Sequence, residues 1–541
     1  MVHRRISLCR LALVVLLRCS DATSHAQDNQ QQAAPPPTLR VTSNLVILDV
    51  TVLDKKGWPV VTGLTKDDFT ITEDRKPQQL FSFEAPDVHT MSPNASDEDN
   101  PDGKAPVTIV ILDLLNSSFE DFAYIRYSVR KYLLTQPDQL TAPAEILVVG
   151  NNSLDMLQGY TQSRSDLLYA LDHLPAVLPY RMMSGEFCQE RFNQSIDALQ
   201  QIALQNKGVA GRKNIIWLGH GGPNLYLSAL RICNFGFTPK TAEKISEYVH
   251  MTTNMLVDAR ISLFVIHPGL PAFSSSTRDA NLTIGDDDPF AGDINFGMLS
   301  NETGGKLFYN RNDVDKEIAQ SAQLGSHCYT LTYQPQHVDQ NGKFRRVRVT
   351  LRDSSLRIET KAGYYAPDDK AIIKPGQQHM IKLAEALQAA FPINSLDVST
   401  GIILRHPDAK SVQITTLIRS KNLDFLPNES GTNSDRLFIA AGSLDGSRRL
   451  LACRIQRGQL ETATTDPSKL PYVAAEIPIT VPFPGKAKTV RIVIEDENGG
   501  RIGSVEIDRG FIDDAPEAPT PNPELVPRSP APTRVTGASV H

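Results

Sequence analysis

The residues whose types and spacing could do chemistry stand at the end of an apolar run, VTIVILD, at positions 107–113. Asp113 closes the run, and the polar cluster Asn116-Ser117-Ser118 follows it. A run of β-branched and aliphatic residues without alternation is typical of a strand that is buried on both faces of a parallel sheet. Ligands of such sheets bind outside the carboxyl ends of the strands. We therefore expect Asp113 at a binding edge, with Ser117 or Ser118 capping the next helix.

Strand and helix patterns alternate around this run from residue 106 to residue 335. Strands are predicted at 107–113, 145–149, 213–218, 261–266, 306–309 and 327–333, and helices at 119–134, 165–174, 192–205, 242–259 and 313–324. Alternation of this kind predicts an α/β domain with a doubly wound, mainly parallel sheet and helices on both of its faces. Two loops rich in Gly, Pro, Ser and Asp, residues 175–191 and 268–297, are expected near the strand ends.

Short strands flank the α/β segment on both sides. Residues 38–86 predict a small β-module, residues 87–105 a polar linker, and residues 343–367 two further strands. About fifty residues bury too little surface to fold alone, so we expect the strands at 343–367 to complete the module. Residues 376–510 predict a C-terminal unit with a helix at 376–391 and, from Leu396 to Asp508, short alternating strands typical of an antiparallel β-sandwich. The Pro-rich residues 511–541 predict a disordered tail.

The amino terminus has the pattern of a secretory signal. Positive charge at Arg4 and Arg5 precedes the apolar core LALVVLL, and Ser24-His25-Ala26 fits a small-x-small cleavage site. Residues 1–26 are therefore predicted to be a signal peptide, and residues 27–37 a disordered linker. We expect export to the periplasm, the cell surface or the extracellular space. No later run reaches about 18 apolar residues, so no transmembrane segment is expected in the mature chain.

Length and charge narrow the class of protein. A chain of 541 residues exceeds one ordinary core, so several domains are expected. The net charge of −6 gives no reason to expect a nucleic-acid partner, which a basic patch would indicate. Neither Gly-x-Ser-x-Gly nor His-Glu-x-x-His nor a Walker loop is present. The sequence therefore offers no familiar catalytic motif.

Several sequence segments together resemble the von Willebrand factor type A (VWA) domain family, and more narrowly the VWA-related proteins exported by acidobacteria. They include GLTKDDFTITEDRKPQQLFSF, VTIVILDLLNSS, GRKNIIWLGHGGPN, ARISLFVIHP and LSNETGGKLFYN, with GYYAP closing the segment. The resemblance covers about residues 40–367. It implies that loops at the carboxyl ends of the sheet strands are presented to a protein partner.

The resemblance also implies a divalent cation, held by Asp-x-Ser-x-Ser after the first strand and by an Asp after the fourth. Asp113 and Ser117 match the first and third signature positions, whereas Leu115 replaces the middle Ser and His220 stands in place of the second Asp. We therefore predict a degenerate site of Asp113, Ser117 and His220 for Mg²⁺ or Mn²⁺, although an imidazole suits softer metals better. The alternative is that Asp113 and Asn116 cap the helix and bond the loop backbone.

Binding to an unidentified protein, without catalysis, is the first hypothesis for the function. The predicted contact residues in the loops are Asn116, Ser118, Gly221 and Asn224. An exported hydrolase that uses His220 or His267 with Asp113 is an alternative that rests on topology alone. A structural component of the cell envelope is a third possibility.

Two further groups of residues invite a prediction. Cys188 and Cys233 lie in loop-like insertions and are predicted as a disulfide pair, with free thiols as the alternative. The acidic run at residues 286–288 lacks the spacing of an EF-hand loop, so we interpret it as a solvated loop.

Overall fold

A computed structural model describes most of the chain outside its termini. The described residues are 45–89, 105–151, 153–174, 187–207, 209, 211–227, 229–232, 235–268, 290, 293–336, 341–367, 375–406, 410–419, 423–427, 432–462 and 475–518. The signal peptide, the linker at 27–37, Cys233, the acidic run at 286–288 and most of the loops at 175–191 and 268–297 lie outside them. The chain forms two compact units, one spanning Leu39–Ala203 and Val209–Ile372, the other Leu204–Gly208 and residues from Ile373 onward.

Within residues 45–89, four strands precede the α/β segment: β1 (Val46–Leu53), β2 (Phe69–Glu73), β3 (Lys76–Gln78) and β4 (Leu80–Glu84). A short 3-10 helix at Pro86–His89 follows them. His89 is buried, and its Nε2 lies 3.2 Å from the hydroxyl of Thr330. The predicted linker at 87–105 therefore begins too early, because burial of His89 keeps residues 87–89 in the folded module.

The α/β segment contains nine strands and six helices among its described residues. The strands are β5 (Val107–Asp113), β6 (Gln139–Gly150), β7 (Ser153–Ser163), β8 (Lys213–Leu218), β9 (Leu225–Tyr226), β10 (Arg231–Ile232), β11 (Phe235–Gly236), β12 (Ile261–Pro268) and β13 (Leu307–Arg311). The helices are α1 (Phe119–Leu134), α2 (Arg164–Asp172), α3 (Cys188–Asn206), α4 (Pro239–Asp258), α5 (Met298–Glu302) and α6 (Val314–Ser326).

Six of these strands form one sheet in the order β13-β12-β8-β5-β6-β7. Neighbouring strands are parallel except β7, which runs antiparallel to β6. The chain fills the sheet outward from β5 to one edge, then returns to lay β8 on the other side of β5. This is the order of a doubly wound sheet, and it leaves a crevice between the carboxyl ends of β5 and β8. The segment is therefore an α/β domain with a mixed sheet.

Local sequence explains why α1 follows β5 so closely. Ser118 is the N-cap, and its hydroxyl accepts a hydrogen bond from the backbone amide of Asp121. Ile125, Val129 and Leu133 recur every four residues and are buried on the sheet. This apolar stripe fixes the helix against the strand that ends in Asp113.

The strands on either side of the α/β segment pair with each other. In the described part of the first unit, four strands follow the segment: β14 (Tyr329–Tyr333), β15 (Phe344–Leu351), β16 (Arg357–Glu359) and β17 (Gly363–Tyr365). They complete two sheets, β16-β1-β14-β4 and β17-β15-β2-β3. Val349 lies opposite Ile71, and both belong to one core with Leu48 and Leu331. The α/β domain is thus inserted into a β-module built from both flanks.

The described residues of the second unit from 375 onward form two antiparallel sheets and two helices. Its elements are α7 (Pro375–Gln388), β18 (Val398–His406), β19 (Ser411–Ile418), β20 (Leu426–Pro427), β21 (Asn433–Leu444), β22 (Leu450–Thr462), β23 (Ala475–Pro482), β24 (Thr489–Asp496), β25 (Ile502–Asp508) and α8 (Arg509–Asp513). One sheet has the order β18-β19-β23, the other β20-β21-β24-β25 with β22 also on β21. Side chains from both sheets, such as Ile414 and Ile492, share one core.

The prediction that the chain is disordered from residue 511 onward is wrong for residues 511–518. Ile512 and Ala515 are buried, and Arg405 forms a parallel bridge with Glu517. These two apolar residues hold the chain on the unit as far as residue 518. Within the described residues, no helix has both the length and the apolar character needed to cross a membrane.

Candidate functional site

The crevice between β5 and β8 is formed by two chain segments that leave neighbouring strands. Leu112 lies opposite Leu218 in the parallel register, so Asp113 and Gly219 continue side by side beyond the sheet. The segment after β5 leads into α1, and the segment after β8 is the Gly-rich stretch Gly219-His220-Gly221-Gly222. Asp113 therefore lies at the carboxyl edge of the sheet, where its position in the sequence predicts it.

The carboxylate of Asp113 is fully buried and accepts hydrogen bonds from both segments. Its Oδ1 accepts from the backbone amide of Asn116 at 2.9 Å. Its Oδ2 accepts from the indole Nε1 of Trp217 at 3.0 Å and from the amide of Gly221 at 2.9 Å. The side-chain amide of Asn116 lies 3.2 Å from each oxygen. One carboxylate thus ties the loop after β5 to the strand and loop of β8.

Burial and hydrogen bonding shift the pKa of Asp113 in opposite directions. Burial raises the pKa of Asp113, and the hydrogen bonds from Trp217, Asn116 and Gly221 lower it without restoring the usual value. Arg191 approaches from α3, with its Nη1 3.4 Å from Oδ1 of Asn116. Burial lowers the pKa of Arg191, while the charge of Asp113 opposes that change. Asn116 also donates to the hydroxyl of Ser195 at 3.0 Å, so α3 is part of the same network.

Two glycines are required for this arrangement. Gly219 has a φ of +142°, and a Cβ there would lie 2.4 Å from Cβ of Asp113. Gly221 has a φ of +68°, and a Cβ there would lie 2.1 Å from the Phe296 ring. Both the left-handed backbone and the lack of space exclude a side chain. The glycines let the β8 loop fold down onto the carboxylate.

A cation bound directly to Asp113 does not fit these contacts. The N–H groups around both oxygens direct the positive ends of their dipoles at the place where a metal would stand. The imidazole of His220 turns away, with its Nε2 3.3 Å from Oδ2 of Asp121. Ser117 lies close by, and its Oγ is buried without a hydrogen-bond partner. Among the described residues, no three His, Cys, Asp or Glu side chains converge to hold a metal.

The predicted metal ligands are therefore brought together only in part. Asp113 and Ser117 both border Gly219, whereas His220 pairs with Asp121. The prediction that all three act on one ion is not supported by this geometry, because the imidazole is engaged elsewhere. The structure instead agrees with one part of the alternative interpretation, in which Asp113 bonds the loop backbone. The other part is wrong, because Ser118 and not Asp113 or Asn116 is the N-cap of α1.

The predicted contact residues need a correction as well. Asn116 is only 2% exposed and Gly221 is buried, because both donate hydrogen bonds to the buried carboxylate of Asp113. Ser118 is half-buried and occupied as the N-cap of α1. Asn224 is half-buried at the start of β9. Asn116 and Gly221 therefore support the edge and do not form its outer surface.

A row of rings that sequence reasoning did not bring together lies along this edge, partly buried and partly exposed. The ring of His267, at the end of β12, lies 5.3 Å from that of His220 and 5.1 Å from that of Tyr309 on β13. His267 is buried, its Nε2 has no hydrogen-bond partner, and burial lowers its pKa to about 3. His220 and Tyr309 are exposed, and so is Phe119 at the first position of α1.

Of these four residues, only Phe119 could have been recognised as a surface residue from the sequence. An aromatic residue directly after an N-cap, out of phase with the buried stripe of α1, indicates a ring that faces solvent. The approach of His220, His267 and Tyr309 depends on the strand order, which residue spacing does not show.

The chain is weakly similar to solved structures, one of which is a VWA domain. The SpRpn10 VWA domain shows 15% sequence identity over 31% of this chain and 76% of its own, with a TM-score of 0.17. The manganese-loaded Plasmodium vivax TRAP protein shows 10% identity over 49% of this chain and 96% of its own, with a TM-score of 0.23. No family model and no curated protein sequence matches the chain. At such low identities and TM-scores, the account of the site rests on the chain's own contacts.

The cysteines differ in state. Cys188 is buried and disulfide-bonded. Its predicted partner, Cys233, lies outside the described residues, so the pairing stays a prediction. Cys328 is a free thiol and is buried.

Proposed function

We propose that this chain is a VWA-like protein-binding module whose partner contacts the carboxyl edge of the sheet without a metal on Asp113. The observation that carries the proposal is the saturation of the Asp113 carboxylate by donors from its own loops. In this view Asp113 has a structural role, because its hydrogen bonds fix the conformation of the loops after β5 and β8. A preformed surface loses less conformational entropy on binding than a mobile one.

The surface above these two loops exposes aromatic rings, as interaction sites do. Phe119 is 60% exposed and Tyr309 is 40% exposed, and the exposed imidazole of His220 lies along the same edge. Aromatic residues are enriched at protein interfaces, where they supply large and rigid contact areas. We infer that the partner packs an apolar group against Phe119 and Tyr309.

The contacts give less support to a hydrolase at the same edge. A serine nucleophile needs a base within hydrogen-bonding reach. The hydroxyl of Ser117 is buried without a partner, and the imidazole of His220 faces Asp121. Burial also keeps His267 neutral, with a pKa near 3, which is far from the range that suits a general base. We therefore propose a binding role for the chain, with export as predicted from its amino-terminal pattern.

Site-specific photo-crosslinking tests this proposal. A benzophenone amino acid is placed at Phe119 or at Tyr309 in the mature chain, which is then irradiated in an envelope extract of the source organism. The matched control position is Tyr127, which is 62% exposed on the same helix as Phe119 but two turns further along. We expect the same adduct from positions 119 and 309 and none from position 127. Equal labelling at all three positions, or none at 119 and 309, would count against the proposal.

A further inference from the structure

A cavity of about 480 Å³ lies between the sheet and the helices of the α/β domain. Its walls come mainly from the first halves of β5 and β6 and from the last halves of α1 and α6. Because β5 and β6 are parallel, both strands begin at the end of the sheet that is opposite to Asp113. The cavity is therefore separate from the candidate site at the carboxyl edge.

Small side chains leave this space open. Helix α6 lines it with Ala319 and Ala322, and β6 lines it with Ala142 and Ala144. The pairing of β6 with β7 is irregular between Gln139 and Ala144, so β6 departs from the regular sheet at the same place. Methyl groups on the helix and on the strand do not fill the gap between the two elements. The cavity thus follows from the residue types at these positions.

The inner wall of the cavity is apolar. It is formed by six buried side chains, Val110, Val129, Leu133, Leu140, Ile146 and Leu167. All six belong to the hydrophobic core of the α/β domain. Water in such a space finds few hydrogen-bond partners, so an apolar molecule that displaces the water is favoured. The volume also lies within the range of about 300–1,000 Å³ that is usual for small-molecule sites.

The described part of the cavity wall carries no acidic residue, lysine or arginine. Burial raises the pKa of the Tyr132 hydroxyl to about 12 and lowers the pKa of His327, so both side chains are neutral at pH 7. The third ionisable residue on the wall, His89, directs its Nε2 to Thr330 and Glu84. An ion in the cavity would lose its hydration without gaining a counter-charge, which is unfavourable. The ligand that fits is therefore uncharged.

A few polar groups on the wall can bind one end of such a ligand. Gln323, Thr108 and Tyr132 line the cavity, and their side-chain amide and hydroxyls have no hydrogen-bond partner among the described residues. An amide and a hydroxyl can each donate and accept a hydrogen bond. Small-molecule sites combine apolar walls with a small number of polar groups that fix the orientation of the ligand.

We propose that this cavity is a binding site for an uncharged molecule with a hydrocarbon body and one hydrogen-bonding group, such as a long-chain alcohol. The hydrocarbon body packs against the apolar wall, where it displaces water. The hydroxyl exchanges hydrogen bonds with Gln323, Thr108 or Tyr132. A fatty acid of the same length fits less well, because its ionised carboxylate meets no cation on the wall. This site goes beyond the proposed partner contact and does not depend on it.

Fluorescence titration of the full mature chain with two related dyes tests the site. Phenylnaphthylamine is uncharged, and anilinonaphthalene sulfonate has the same ring system with a negative charge. Ala322→Leu adds volume at a half-buried position inside the cavity, and Ala319→Trp covers its rim at an exposed position. The matched controls are Ala123→Leu and Ala123→Trp, since Ala123 is exposed on α1 and does not line the cavity.

We expect the wild-type chain and the Ala123 variants to bind the uncharged dye at least about tenfold more tightly than the sulfonate. Dodecanol should displace the uncharged dye from all three chains. Ala322→Leu and Ala319→Trp should each weaken the binding of that dye at least about tenfold. Thermal melting shows whether each variant is folded, and Ala319→Trp decides the test if Ala322→Leu does not fold.

Three outcomes would overturn the proposal. A wild-type chain that does not bind the uncharged dye would show that the cavity takes no apolar ligand. Equal binding by the wild-type chain and by the folded cavity variants would place the dye elsewhere on the protein. Tighter binding of the sulfonate than of the uncharged dye would contradict the neutral character of the ligand.

Discussion

The indole Nε1 of Trp217 donates a hydrogen bond to the Oδ2 of Asp113 across 104 residues of sequence. The two residues stand on neighbouring strands, and both are fully buried. This bond joins the core of the sheet to the loops at its carboxyl edge. The behaviour of the edge should therefore depend on core residues that no partner touches.

Trp217→Phe should destabilise the chain by about 1–3 kcal/mol, because it removes a donor from a buried carboxylate and leaves the ring contact with Phe296 largely in place. Urea unfolding measures the change in the free energy of unfolding. Trp58→Phe is the control, since Trp58 is 57% exposed and its loss should cost little. Equal stability of the wild-type chain and Trp217→Phe would show that the bond contributes nothing.

Gly219→Ala should cost about 3 kcal/mol or more, because its Cβ would meet Asp113 at 2.4 Å in a left-handed backbone. Gly236→Ala provides a comparison in the same unit, since the nearest atom to its Cβ is 4.0 Å away. Thermal unfolding of both variants is the measurement. A small loss of stability in Gly219→Ala would mean that the loop after β8 can rearrange and give up its contact with Asp113.

Asp113→Ala should change the response to Mg²⁺ and Mn²⁺ very little. The donors on the carboxylate leave no place for a cation, so any shift in melting temperature caused by these metals should be equal in the wild-type chain and the variant. The variant itself should melt lower, because several N–H groups lose their acceptor. A metal-induced stabilisation present only in the wild-type chain would restore the predicted metal site and refute the metal-free proposal.

Acid should weaken the contact between Asp49 and Arg260. Burial opposes ionisation of Asp49, but the charge and hydrogen bonds of Arg260 outweigh it and lower the pKa of Asp49 to about 2. Because this value lies below that of the unfolded chain, the stabilisation is complete above pH 4 and is lost as the pH falls toward 2. The loss should amount to about 2 kcal/mol. Denaturant titrations between pH 5 and 2 should show a shallower decline for Asp49→Asn, and parallel declines would disprove the assignment.

Cys328 should resist alkylation in the folded chain. Burial, assisted by the charge of Asp49, raises the pKa of this thiol to about 11. At pH 8 the thiolate fraction is then at least about 100-fold smaller than for a free cysteine, before access is considered. Mass spectrometry of peptides labelled with iodoacetamide, with and without denaturant, reads the site directly. Rapid labelling of Cys328 in the native protein would contradict its burial.

The sequence was a good guide where short-range rules determine the structure. The predicted strand 107–113 and the predicted helix 119–134 coincide with β5 and α1, since a β-branched run and an N-cap residue act locally. The antiparallel strand β7 was missed, because its polar and half-exposed residues lack an apolar pattern. Strand β6 was predicted too short because it contains Pro143, which the register irregularity between Gln139 and Ala144 accommodates.

The candidate site also combines features that local sequence determines with features that depend on tertiary contacts. The place of Asp113 at the end of a buried strand was predictable from its own neighbours. Its partners were not, because Trp217 and Gly221 reach it only once β8 lies beside β5. His220 illustrates the limit, since its position after β8 suggested a contact with Asp113 and its side chain bonds Asp121. Tertiary contacts between distant segments decide these details.

The nested arrangement of the first unit also governs the order in which it can form during synthesis. The hydroxyl of Thr360 bonds the backbone carbonyl of Asp49, 311 residues earlier in the chain. At about 5–20 residues per second, β1 leaves the ribosome roughly 15 to 60 seconds before β16 can pair with it. Until β14 is made, β1 has neither of its neighbours, and until β15 is made, β2 is paired on one side only, with β3. The nascent chain must therefore be shielded from aggregation, and a ribosome that stalls inside the α/β domain would release a product with two unfinished sheets.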